Sequence, residues 1–241
     1  MATTGSLELL DRTLAQAGAI VARVRPEQAT PPTPCASWDV RALANHVVHD
    51  VQQFTEVVAG REWAPQDTDV IGDDWAGAYR QAADGLLAAW RRPGVLERTV
   101  RLPFGEVPAT WHVGQQISDL AVDGWDIAKA TGQPTDLDPE VGRVALDWGR
   151  ENLTPEFRGD EASGQSFGFE VPVPDDAAVY DRLAAFFGRD RRWPGAPAGR
   201  GSTPRAGPGR RTTPRGGPAG RGRRRRSAPA ARGCRRRARS T

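Results

Sequence analysis

Apolar residues at Leu7, Leu10, Leu14, Ala17, Val21 and Val24 recur at three- and four-residue steps, which predicts one stripe of an amphipathic helix over residues 6–24. Pro26 and the run Thr30-Pro-Pro-Thr-Pro34 end it. Ser37 is suited to cap a second helix that carries Val40, Leu43, Val47, Val51 and Phe54 on one face as far as Gly60. After a polar, acidic loop, a third helix is predicted from Asp73 or Asp74 to Arg92, where Pro93-Gly94 stops it. Residues 96–107 alternate apolar with charged positions and turn at Pro103-Phe-Gly105, the pattern of a short extended or hairpin insertion. A fourth helix follows from about Pro108 to Thr131 and closes at Gly132. Asp138 and Pro139 open a fifth, which ends near Asn152, and a last short helix over 175–187 packs Tyr180, Leu183 and Phe187. The whole reads as an all-α four-helix bundle of long antiparallel helices, with extra C-terminal helices and the hairpin inserted before the fourth.

Composition divides the chain in two. Residues 1–190 hold 16 Lys plus Arg against 30 Asp plus Glu, a net of −14, whereas residues 191–241 hold 17 Arg and no acid. The formal net charge of +3 therefore describes neither part. The body, 1–190, has enough apolar positions for a core. The tail, rich in Arg, Pro and Gly with Trp193 as its only aromatic, cannot bury one and is expected to be disordered. If genuine, its arginines suit a nucleic-acid or acidic partner, although no aromatics are interleaved to stack bases. The abrupt switch after Asp190 is also what an out-of-frame translation of a G+C-rich gene would give, and the nucleotide sequence distinguishes the two. Two cysteines, Cys35 and Cys234, give no expectation of a structural disulfide and fit a reducing compartment. With no basic and apolar leader and no run of about 18–20 apolar residues, the expectation is a cytoplasmic protein without a membrane partner.

Candidate chemistry lies on the second and fourth helices. Asp119 and Asp123 are four residues apart, so they stack one turn above each other, roughly 6 Å between Cβ atoms, and both can reach one cation. His46, on the edge of the second helix's apolar face, could complete the site, with Asp50 as a fourth ligand or as the acceptor that orients the imidazole. Three protein ligands with one position open let a divalent metal activate a water or a thiol. The competing reading is plain. His112, Gln116, Asp119, Asp123 and Asp126 form a polar stripe, and spacing alone favours a solvated helix face. On the same reasoning His49 is solvated, His112 lies at the surface or lines a pocket, Gly124 admits a neighbouring helix, and Cys35 and the tryptophans serve packing.

Several segments together resemble one family: Leu9-Leu-Asp-Arg-Thr-Leu-Ala-Gln-Ala17, Pro32 to His46 with its Ser-Trp-Asp-Val-Arg core, Arg98-Thr-Val-Arg-Leu-Pro-Phe-Gly105, and Val122-Asp-Gly-Trp-Asp-Ile-Ala-Lys-Ala-Thr-Gly-Gln133. The resemblance, over residues 6–190, is to actinobacterial metal-binding proteins related to mycothiol-dependent maleylpyruvate isomerase, in the DinB-like superfamily. It implies a DinB-like bundle and a metal site at the positions of His46, Asp119 and Asp123. Asp123 stands where the family usually has histidine, and Asp119 where glutamate is common. One histidine with two carboxylates is a harder, more anionic set that disfavours Zn²⁺ selectivity and tolerates other first-row ions.

The resemblance further implies a divalent metal ion and mycothiol as cofactors, a small-molecule thiol and a substrate as partners, and an isomerase or transferase that uses a metal-activated thiol. It leaves the catalytic residues and the substrate unassigned. The alternative is a non-catalytic metal-binding or dimerising bundle with a weakened site, for which a homodimer would be the working unit. A nucleic-acid role rests on the tail alone.

Overall fold

The computed structural model describes residues 3–35, 38–64, 68–159 and 167–194. The tail beyond 194, with its arginine clusters and Cys234, and the expected cap Ser37 lie outside these. The helices are α1 (Thr3–Ala22), α2 (Val40–Val58), α3 (Trp75–Trp90), α4 (Ala109–Thr131), α5 (Pro139–Asn152) and α6 (Val179–Phe186), with one-turn 3₁₀ segments at Pro26–Gln28 and Pro155–Phe157. The helical class predicted from periodicity is what forms.

Local chemistry sets most of the boundaries. Asp39 caps α2 by accepting from the Ala42 amide at 2.8 Å. Asp74 does the same for α3 through Gly77, and Asp138 accepts from Glu140 and Val141 ahead of Pro139 at the first position of α5. Gly132 ends α4 in the left-handed conformation at φ 69°, which a side chain would resist. Strands β1 (Thr99–Leu102) and β2 (Gly105–Pro108) pair antiparallel with Val100 opposite Val107, so the insertion is a two-stranded hairpin. The last helix is shorter than periodicity suggests, because Asp175 to Ala178 form a turn that leads into Val179.

α1 packs on α3 and α4, and α2 also packs on α3 and α4, so the four long helices form a square with α1 diagonal to α2. Leu10, Leu14, Leu43, Phe54, Leu86, Trp90, Ile117 and Trp125 are fully buried at its centre. α5 covers α4 and is in turn covered by α6. The close approach on α4 is at Gly114, not Gly124. A Cβ on Gly114 would lie 2.4 Å from Trp148 Cδ1, whereas one on Gly124 would meet Ile20 Cδ1 at an ordinary 3.5 Å. Gly114→Ala is therefore expected to destabilise by at least about 1 kcal/mol through overpacking, and Gly124→Ala to be tolerated. Urea denaturation of both variants checks this, and equal midpoints would refute it.

Candidate functional site

The polar positions of α2 and α4 are inside the bundle. His46 and His49 are 5% exposed, Asp50 and Asp123 4% and Asp119 3%, while His112, Gln116 and Asp126 are fully buried. This overturns two expectations, since the stripe on α4 is no solvated face and His49 is not a solvated histidine, and it removes the surface alternative for His112. The reason is tertiary. α4 is walled by α1, α2 and α5 together, so no side of its central turns is left for solvent. Ionised groups are retained in an interior only when paired, hydrogen-bonded or coordinated, so these positions are part of the polar interior and not a solvated face.

The register of α2 against α4 follows from two contacts. The rings of Phe54 and His112 lie 5.5 Å apart, and at the opposite end Arg189 bridges Cys35, just before α2, to Asp126, near the end of α4. The two helices are antiparallel. Since both rise equally per residue, eight steps back from Phe54 and eight forward from His112 bring His46 level with Leu120, between Asp119 and Asp123. Asp50 comes level with Gln116.

Around His46 the geometry is tight. Its ring packs against Trp38 with centroids 4.3 Å apart, and Nε2 lies 3.3 Å from Asp50 Oδ2. His49 Nδ1 is 3.7 Å from the other oxygen of Asp50, so that one carboxylate stands between two imidazoles. Two donors held about 2.0–2.1 Å from one ion at tetrahedral or octahedral angles are themselves roughly 2.8–3.4 Å apart, so the 3.3 Å His46–Asp50 spacing suits shared coordination as well as a direct polar contact. Among the described residues, no three His, Cys, Asp or Glu side chains are gathered closely enough to hold an ion as they stand.

Beyond His46 and Asp50 the polar interior holds two further arrangements. Asp126 accepts from Arg189 Nε at 3.0 Å, a pairing across 63 residues that periodicity could not signal. Burial raises the Asp126 carboxyl to about 6 despite the downward pull of that arginine, with Asp123 adding to the rise. At the other end, burial lowers His112 to about 4, opposed by its contact with Gln115, and Gln116 accepts from Trp90 Nε1 at 2.9 Å. The continuation of the stripe from Asp123 and Asp119 to Gln116 and His112 at steps of three and four was the available sequence signal for this pair.

The family model for the mycothiol maleylpyruvate isomerase N-terminal domain matches residues 10–128, a span that contains most of α1, all of α2 and α3, the hairpin and most of α4. Two relatives extend the likeness. The uncharacterized protein Rv0738 of Mycobacterium tuberculosis strain H37Rv and the uncharacterized protein MT0763 of strain CDC 1551 / Oshkosh are each 38% identical over 176 residues, 72% of this chain and 92% of theirs. The chain belongs to the mycothiol maleylpyruvate isomerase N-terminal domain family. The all-α DinB-like bundle is the architecture of the chain, and His46, Asp119 and Asp123 all fall within the matched span. No solved structure matches. Among the described residues, no helix is long and apolar enough to cross a membrane.

Proposed function

We propose that this chain is a thiol-using enzyme of the isomerase or transferase type, working with mycothiol on a divalent ion held by His46, Asp119 and Asp123. The observation that carries the reading is the burial of His46 on α2 and of Asp119 and Asp123 on α4, two helices that pack on each other, inside the span that matches a mycothiol-linked family. The donor types suit a first-row divalent ion, and Asp50, 3.3 Å from His46 Nε2, is either an additional ligand or the group that orients the ring. The ion would lower the pKa of a thiol or water bound in its open position. Trp38 restrains the imidazole from one side, and the apolar surroundings exclude bulk water, which strengthens electrostatics at the site.

The rival reading, a non-catalytic metal-binding or dimerising bundle with a weakened site, draws on the absence of a preassembled three-ligand cluster among the described residues and on the short aspartate in place of histidine at 123. Equilibrium titration with Zn²⁺, Mn²⁺ and Ni²⁺ decides between them when paired with a mycothiol-dependent isomerase assay. His46→Ala is expected to weaken binding at least about tenfold, and Asp123→His to tighten Zn²⁺ binding relative to wild type. Equal affinity in all three proteins would remove these residues from the ion. Binding without any thiol-dependent turnover would favour the rival.

The body at 1–190 is proposed as the independently folding unit, and a cytoplasmic location accords with it. A nucleic-acid partner would require residues 191–241 and would show as DNA binding that falls steeply with salt.

A further inference from the structure

His112 and Gln116 are one turn apart on α4, both fully buried, and each has one side-chain nitrogen with no hydrogen-bond partner. Their remaining atoms are committed, which fixes what the two nitrogens can do. His112 Nδ1 lies 2.8 Å from Gln115 Oε1, a pure acceptor, so Nδ1 carries the proton and Nε2 presents a lone pair. Gln116 Oε1 accepts from Trp90 Nε1, a pure donor, so the amide is oriented with its NH₂ group turned elsewhere. One orphan is therefore an acceptor and the other a donor. Leaving either unmet in an interior costs about 1–3 kcal/mol.

A single oxygen meets both needs. Side chains at i and i+4 are about 5–6 Å apart at Cβ, and one oxygen at about 2.9 Å from each nitrogen spans a separation of that order. We propose that His112 and Gln116 frame an internal hydroxyl-binding site, in which one O–H group donates to His112 Nε2 and accepts from Gln116 Nε2. The size of the guest is limited by aromatic walls: the Phe54 ring centroid is 5.5 Å and the Trp90 centroid 6.1 Å from that of His112. Water fits this chemistry, and so does the terminal hydroxyl of a bound small molecule. A buried neutral histidine is the form that accepts, and the downward shift of His112 keeps it in that form at neutral pH.

The test uses the full chain, dialysed exhaustively into buffer free of organic hydroxyl compounds. Water-selective NMR transfer to the Gln116 side-chain NH₂ and the His112 ring protons detects a long-lived internal water. Mass spectrometry of the supernatant after denaturation detects a retained organic hydroxyl compound. Thermal melts of His112→Phe, Gln116→Met and the double variant report whether the two residues share the guest. Each single variant is expected to lower Tm by roughly 2–4 °C, and the second substitution to cost clearly less once the first is present. Water transfer together with this coupling establishes water as the guest, and a retained compound together with the coupling establishes a small-molecule hydroxyl. Strict additivity, or the absence of both guests from the wild-type protein, overturns the proposal, and the wild-type measurements stand even if a variant fails to fold.

Discussion

Replacing Arg189 with methionine is expected to lower the stability of the protein by about 3–5 kcal/mol, a fall in Tm on the order of 10 °C. Arg189 follows α6 and turns inward: its backbone amide donates to Ala184, Nη1 donates to the Phe187 carbonyl at 2.7 Å, Nη2 donates to Cys35 Sγ at 3.2 Å, and Nε donates to Asp126 at 3.0 Å. It thereby ties the C-terminal segment, the start of α2 and the end of α4 at one point. The partner carboxylate is fully buried, and its other oxygen, Oδ1, has no hydrogen bond. Removing the guanidinium leaves a buried carboxyl that must either stay charged without a cation or take up a proton, and both cost free energy. The double variant Asp126→Leu with Arg189→Met removes both members of the pair and is expected to recover more than half of the loss. Chemical denaturation of the three proteins measures this directly. A single variant within about 1 kcal/mol of wild type would mean that the tie carries little. A chain ending at Asp190 keeps the tie and is expected to melt like the full chain, and one ending at Phe187 is not.

The second large effect is on acid stability. His112 is held at about 4 in the folded protein by burial, against an ordinary value near 6.5. In the window between these values the unfolded chain binds a proton at this residue that the folded chain does not, so stability falls as pH drops from about 6.5 towards 4. Across the whole window the contribution is about 3 kcal/mol, of which roughly 2 is already lost at pH 5. His112→Phe, which keeps a ring among Phe54 and Trp90, removes this term. Its stability is expected to decline less than that of wild type between pH 7 and pH 5, by about 2 kcal/mol, as measured by urea denaturation at each pH. Parallel curves for the two proteins would mean that His112 is protonated as readily when folded as when unfolded.

The helices, the hairpin and most of the caps could be read from the chain alone because each is decided within a few residues; the exception is α2, where Asp39 and not the expected Ser37 is the cap, because the helix begins only at Val40. Asp138 with Pro139, Asp74 ahead of Trp75, Gly132 after Thr131 and the Pro103-Phe-Gly105 turn act through backbone groups one turn away at most, so no distant contact is needed to place them. The spacing of Asp119 and Asp123 likewise marked a possible ligand pair, and the place of His46 on the edge of the apolar face of α2 marked a possible third ligand. What a helical wheel cannot show is which side of a helix is covered. His49, His112, Gln116 and the acidic positions of α4 have the spacing of a solvated stripe, and they are buried because α1, α2 and α5 close around α4. The pairing of Asp126 with Arg189 spans 63 residues and depends on α6 folding back over α5, which has no local signature. Local hydrogen bonds thus determined where each element starts and stops, while burial and long-range charge pairing, set only when the helices pack, decided which polar side chains belong to the interior.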